Sequence, residues 1–274
     1  MNRRSAPGRE VPDDLCVPQG AMGAPWLTRA ARRDWAELAA PSGPAAPFEP
    51  EMTHGLPGPA RRWLNHAIRP GTPLCGSVRL RMHGRIRLGS WWPFRADQIL
   101  RPPSGFIWAA TARMAGLPVR GFDRYSGGNA EMRWRLLGAV PVMSATGPDV
   151  SLSAAGRLAS EIVLVPAAAL SPAVTWEDVD DEHVIARVGV AGEGHPVTLA
   201  VAPSGALTSV TLPRWGDPGK GPFGRHVFGV EVRREATFGG YTVPAGVRAG
   251  WWYGTERWAD GEFIRFTVDR AVHF

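Results

Sequence analysis

Between positions 78 and 88 the chain switches residue by residue between apolar and basic side chains: Val78, Leu80, Met82, Ile86 and Leu88 alternate with Arg79, Arg81, His83, Arg85 and Arg87. A period of two puts the apolar set on one face of a β-strand and the basic set on the other, so this segment is a strand with one buried face. Further strand-like runs follow at 94–100, 106–113, 119–125 and 131–137, punctuated by Pro102-Pro103 and Gly127-Gly128. Strands this close in sequence pair as antiparallel neighbours. A second series is expected at 174–179, 183–190, 197–202, 206–212, 227–238, 243–253 and 263–272. In the last, Ile264, Phe266, Val268 and Val272 share a face opposite Arg265, Thr267 and Asp269.

Helical spacing occurs in three places. Trp26, Leu27, Ala30, Ala31, Trp35 and Leu38 recur at near-helical intervals, with Arg29, Arg32, Arg33 and Glu37 between them, which predicts an amphipathic helix over 26–40. The prolines of 41–50 end it, and a second helix is expected over 57–68, stopped by Pro70-Gly71. Between the two strand series, Ser151 or Ser153 can cap a helix reaching Val163, and 166–170 can add another short turn. The division expected is a flexible leader and amphipathic helix in residues 1–50, then one β-rich domain over 51–274.

Composition narrows the class. Hydrophobic residues make up 44% of the 274 and charged residues 20%, which is globular usage. The formal charge of +6, nearly all from arginine, is read as surface chemistry. Cys16 and Cys75 stand far apart, so neither a disulfide framework nor a thiolate metal site is indicated. Arg3 and Arg4 are followed by polar residues and prolines where an export signal needs an apolar run. No stretch has the apolar length of a membrane-spanning helix. A cytoplasmic location, no cofactor and no metal are therefore expected.

Several local patterns together resemble an uncharacterised bacterial family, Domain of Unknown Function 6544. They are Leu56-Pro57 before Arg61-Arg62-Trp63-Leu64, Trp92-Pro93-Phe94 with Ala96, and Phe106 with Trp108 and Ala110. Asp123 with Tyr125, Gly127 and Gly128 continues the likeness, as do Gly156-Arg157 with Glu161, Pro166, Trp176, and Gly239-Gly240-Tyr241 with Pro244. That family implies no activity. The order of N-terminal helix, strand meander, central helical segment and second meander is also similar to LolA-like lipoprotein carriers. This likeness implies a mainly β fold, a curved antiparallel sheet or open half-barrel with N-terminal helices and a central helical lid over a greasy cavity.

Arg157 and Glu161 lie one helical turn apart on the predicted lid, so they share a face and can pair, either as a structural bridge or beside a ligand. Asp123 and Tyr125 share a face of a predicted strand, where they form a polar patch at a cavity mouth or a local strand-end cap. Trp108, Trp134 and Trp176 fall on strands and can line a pocket or fill the core. Gly219, Gly221 and Gly224 match a phosphate loop by letter, but strand pattern follows where a helix is required, so they are read as a surface loop. The acidic turn at Asp178, Asp180, Asp181 and Glu182 lacks a calcium-loop pattern.

The leading reading is a protein that encloses a hydrophobic small molecule or acyl chain. Arg157, Glu161, Asp123 and Tyr125 would give polar contacts, and Trp108, Trp134 and Trp176 apolar wall. A second reading is an enzyme of secondary metabolism on the same scaffold, with Glu161 or Asp123 as acid/base. A third, an interaction or nucleic-acid-binding module, rests on the arginine face from Arg79 to Arg87 alone and is disfavoured. Oligomeric state is left open.

Overall fold

The computed structural model describes residues 26–41, 43–219 and 221–274. The leader expected over 1–25, with Cys16 and Arg3-Arg4, lies outside these residues. The first strand series comprises β1 (Val78–Leu88), β2 (Ser90–Arg101), β3 (Gly105–Met114), β4 (Leu117–Ser126), β5 (Asn129–Leu136) and β6 (Val140–Thr146). The second comprises β7 (Val174–Asp178), β8 (His183–Val190), β9 (Glu193–Val201), β10 (Leu207–Gly216), β11 (Gly224–Phe238), β12 (Tyr241–Trp251) and β13 (Glu262–His273). The helices are α1 (Arg29–Leu38), α2 (Gly58–Ala67) and α3 (Pro148–Ser160), with a four-residue turn at Trp258–Gly261 and short 3-10 segments at Glu161–Leu164 and Pro166–Leu170.

All thirteen strands form one sheet in the order β6-β5-β4-β3-β2-β1-β13-β12-β11-β10-β9-β8-β7. Every neighbouring pair is antiparallel, and the last strand joins the two series by pairing with the first, Ile86 opposite Ile264 and Val78 opposite His273. β6 and β7 are the two free edges, so the sheet is open.

Its curvature follows from what α3 touches. The helix packs against β4, β5 and β6 on one side and β8, β9 and β10 on the other. β4 and β10 are seven strand spacings apart, roughly 34 Å on a flat sheet, whereas a helix is only about 10–12 Å across. One helix can reach both only if the sheet wraps around it. The small residues Ala154, Ala155, Gly156 and Ala159 on the buried side of α3 let it sit deep in that concavity.

The concave core takes the alternate positions Val78, Leu80 and Met82 of β1, as the period of two requires. The opposite, convex face is covered by α1, whose Leu27, Ala31, Trp35 and Leu38 pack on Ile99, Ile107, Ala109 and Phe122. β3 is therefore buried on both faces, which is why Phe106-Ile107-Trp108-Ala109-Ala110 does not alternate. Asp34 of α1 pairs with Arg124, which also reaches Glu131 at 2.9 Å, fastening the helix to β4 and β5.

Several features differ from the pattern reading. α3 starts at Pro148 after Gly147 and ends at Ser160, so neither Ser151 nor Ser153 caps it and Val163 falls in the following 3-10 segment. β6 was not expected: Pro141 interrupts its pattern and nearly every side chain is exposed, as an edge strand permits. β10 continues past Leu212 to Gly216, because Pro213 sits in the strand without ending it. The basic side of β1 lies at the middle of the sheet and is engaged by its neighbours. Arg79 stacks over Trp35, Arg81 faces Asp97 at 3.4 Å, His83 faces Asp269 at 2.8 Å, and Arg85 and Arg87 donate to backbone carbonyls.

Candidate functional site

Strand register builds the floor of the site. Gln98 of β2 stands opposite Trp108 of β3, Trp108 opposite Asp123 of β4, and Asp123 opposite Met132 of β5. Directly paired residues share a face, so these four side chains form one row across the concave surface. A second row, from Ile86 through Ile264 and Ala249 to Val230, crosses β1, β13, β12 and β11. Above both rows lies the lid, formed by the end of α3 and the following 3-10 turn, with Arg157, Ser160, Glu161, Val163 and Leu164. A cavity of about 190 Å³ remains between lid and sheet. Its walls are mostly apolar and include Met82, Phe228, Val247, Phe263 and Phe266.

The polar groups of the cavity are tied to one another. The Arg157 guanidinium donates from Nε to Glu161 Oε1 at 2.8 Å and from Nη1 to Asp123 Oδ2 at 3.3 Å, bridging the lid to the floor. Trp134 Nε1 donates to the other Asp123 oxygen at 3.0 Å, and Gln98 Nε2 donates to Glu161 Oε2 at 2.5 Å. Arg157 also rests on aromatic faces, 4.4 Å from the Phe106 ring centroid and 5.5 Å from that of Trp108. Trp134 reaches Asp123 because it lies across Gly121, where a Cβ would stand 2.4 Å from the indole.

A second guanidinium enters from β10. Arg214 donates Nε to the Ser153 carbonyl of α3 at 3.0 Å and stacks over Phe228 and Trp251, with centroid distances of 4.7 and 5.3 Å. Gly156 makes room for it, since a Cβ there would lie 3.2 Å from Arg214 Cγ.

Burial sets the electrostatics. It pushes the Asp123 carboxyl above its usual range, against the pull of Arg157 and the Trp134 hydrogen bond. Burial also works against the charge on Arg157, but Glu161 and Asp123 more than offset it and raise that pKa. Arg214 is lowered to about 10, first by burial and then by the like charge of Arg157. It remains a cation at neutral pH.

Of the expected site residues, Arg157, Glu161, Asp123 and Trp108 meet at this cavity, and Trp134 supports Asp123 from beside it. Tyr125 is buried opposite Phe106, outside the lining. Trp176 lies on edge strand β7 and packs on Trp63 of α2 at 6.2 Å, also outside it. Gln98 and Arg214 went unnoticed in the sequence. Gln98 could have been found as a lone polar residue between Ala96 and Leu100 on an apolar strand face. Arg214 was hidden because its strand was ended two residues early.

Residues 46–263 match the model of a family of unknown function (DUF6544). No curated protein matches the chain in sequence. Among solved structures, a LolA superfamily protein from Nitrosomonas europaea is 9% identical with a TM-score of 0.42, the match covering 79% of this chain and 92% of that one. A domain described as an outer membrane lipoprotein-sorting protein from Vibrio parahaemolyticus is 8% identical with a TM-score of 0.40, over 72% and 84% of the two chains. A DUF1329 family protein from Desulfovibrio piger is 13% identical with a TM-score of 0.37, over 73% and 86%. The cytoplasmic expectation is withdrawn here. That expectation rested on cysteine usage and a missing export pattern, and neither fixes a compartment.

Proposed function

The chain belongs to this family of unknown function, and on that footing we propose that it binds a hydrophobic small molecule, or the end of an acyl chain, between the concave sheet and the α3 lid. The observation that carries the reading is the cavity itself: about 190 Å³ of space between apolar walls and a polar corner. A cavity of about 150 Å³ lined by apolar side chains accepts benzene, so about 190 Å³ takes roughly six to eight non-hydrogen atoms. The occupant is a small ring, a short chain or the tip of a longer one.

Both carboxylates have structural partners that tie the lid to the sheet, in keeping with a binding role: Asp123 accepts from Trp134 and Arg157, and Glu161 accepts from Arg157 and Gln98.

The test is a thermal melt with and without saturating 1-hexanol. A ligand at 100 times its Kd adds about 2.7 kcal/mol, which for a chain of this size is a rise of roughly 5–10 °C. Val247→Trp, whose indole occupies the void, should fold by circular dichroism and show no rise. An equal rise in both proteins, or none in the native chain, removes the cavity as the binding site.

A further inference from the structure

We infer that the molecule held in the cavity is an amphipathic carboxylate whose head docks on the Arg214 guanidinium while its apolar end lies against Met82, Val247, Phe263 and Phe266. This inference rests on the cavity being a binding site.

The two guanidiniums of the cavity differ in what they still have to give. Arg157 is bridged to Asp123 and Glu161. Arg214 spends only its Nε–H, on the Ser153 carbonyl. Among the described residues no carboxylate oxygen lies within 4.0 Å of Arg214 and no acceptor takes its two terminal amino groups. It is nonetheless part of the cavity lining and rests against the adjoining rings of Phe228 and Trp251, which shield it from water on that side. A partly desolvated cation with an unused planar fork is unfavourable alone, and a carboxylate offers two parallel acceptors that match that fork.

A cationic head would meet the Arg214 guanidinium as repulsion.

The apolar end has its own place. The side chains of Val247 and Phe266 stand opposite one another across β12 and β13, and both belong to the cavity wall. A short alkyl tail extending from Arg214 can therefore remain against apolar surface.

The experiment is calorimetric titration of the full chain with hexanoate, 1-hexanol and hexylammonium, three ligands of one length and different head charge. Charge-assisted hydrogen bonds predict hexanoate binding roughly 10–100-fold tighter than hexanol, with hexylammonium weakest. Arg214→Gln should bring the hexanoate to hexanol ratio within about threefold of one, and Arg214→Lys, which keeps the charge but loses the fork, should retain part of it. If the native chain binds hexanol as well as hexanoate, the carboxylate inference fails and the cavity reading survives. If it binds neither, both fail. A full hexanoate preference in Arg214→Gln also overturns the inference. Should Arg214→Gln not fold, the ratios of the native chain and Arg214→Lys decide it.

Discussion

His273, next to last in the chain, makes acid stability a quantitative test of how the lid is anchored. Its Nε2 sits 3.0 Å from the Leu164 carbonyl at the end of the lid, and its ring stacks on Tyr241 with centroids 4.1 Å apart. Its Nδ1 is buried and has no hydrogen-bond partner among the described residues. Burial depresses its pKa to about 4, although the Leu164 carbonyl favours the charged form, whereas an unfolded histidine titrates near 6.5. A depressed folded-state pKa contributes stability that is complete above about 6.5 and is lost as pH falls through about 4, because only the unfolded chain takes up the proton in between. The difference of about 2.5 units corresponds to about 3 kcal/mol. His273→Gln keeps an N–H for Leu164 but cannot titrate, so it should be somewhat less stable than the native chain at pH 7.5 through poorer packing on Tyr241. Urea denaturation at pH 7.5 and pH 4.5 reads both. Between those values the native chain should lose about 2–3 kcal/mol more than the variant, since all other groups titrate alike in the two proteins. Parallel pH profiles would refute a buried neutral His273.

Gly121→Ala should cost about 1–3 kcal/mol, because a Cβ 2.4 Å from both the Trp134 indole and the Arg133 carbonyl forces the ring off Asp123. Urea denaturation and tryptophan emission should move together, and an unchanged midpoint would show that the ring does not depend on that glycine. Glu262 is buried, which opposes its charge, but Arg248 and Arg265 outweigh burial and hold its pKa down to about 2, so its contribution is present above about 4.5 and lost as pH falls through about 2. Glu262→Gln should therefore be destabilised by on the order of 1–2 kcal/mol at pH 7, discounted for the exposure of Arg265, and the gap from the native chain should narrow toward pH 2.5; a gap that stays constant with pH contradicts the ion-pair account.

The strands were legible because alternation survives wherever one face of the sheet meets solvent, as in Val78–Leu88, whose observed bounds equal the expected ones. Legibility fades where tertiary context replaces the alternation. β3 is covered on both faces, so its existence was readable from its apolar run but its facing was not. β6 has almost no buried face, so nothing in its composition recorded it. At the site, Arg157 and Glu161 were readable as a pair because their contact is local, one turn along α3. Asp123 was singled out as a polar residue on a strand, but its partner Arg157 lies 34 residues away, and only the bend of the sheet brings them together. Arg214 meets α3 across 61 residues by the same bend.

The polar groups at the cavity also hold the lid, which links closure to occupancy. The two halves share the β1–β13 ladder but no ladder joins the edge strands β6 and β7, and α3 packs against both arms of the open sheet. On one side it is fastened through Arg157 to Asp123 of β4, on the other through its Ser153 carbonyl to Arg214 of β10. The first attachment runs through a charged group whose partner is pushed toward neutrality by burial, and the second uses one N–H of a guanidinium that has more to offer. A carboxylate accepted by Arg214 therefore adds its contacts to the same residue that fastens the lid to the second half of the sheet. Binding and closure then stabilise each other, and the ligand should slow hydrogen exchange along α3 as well as at the cavity wall.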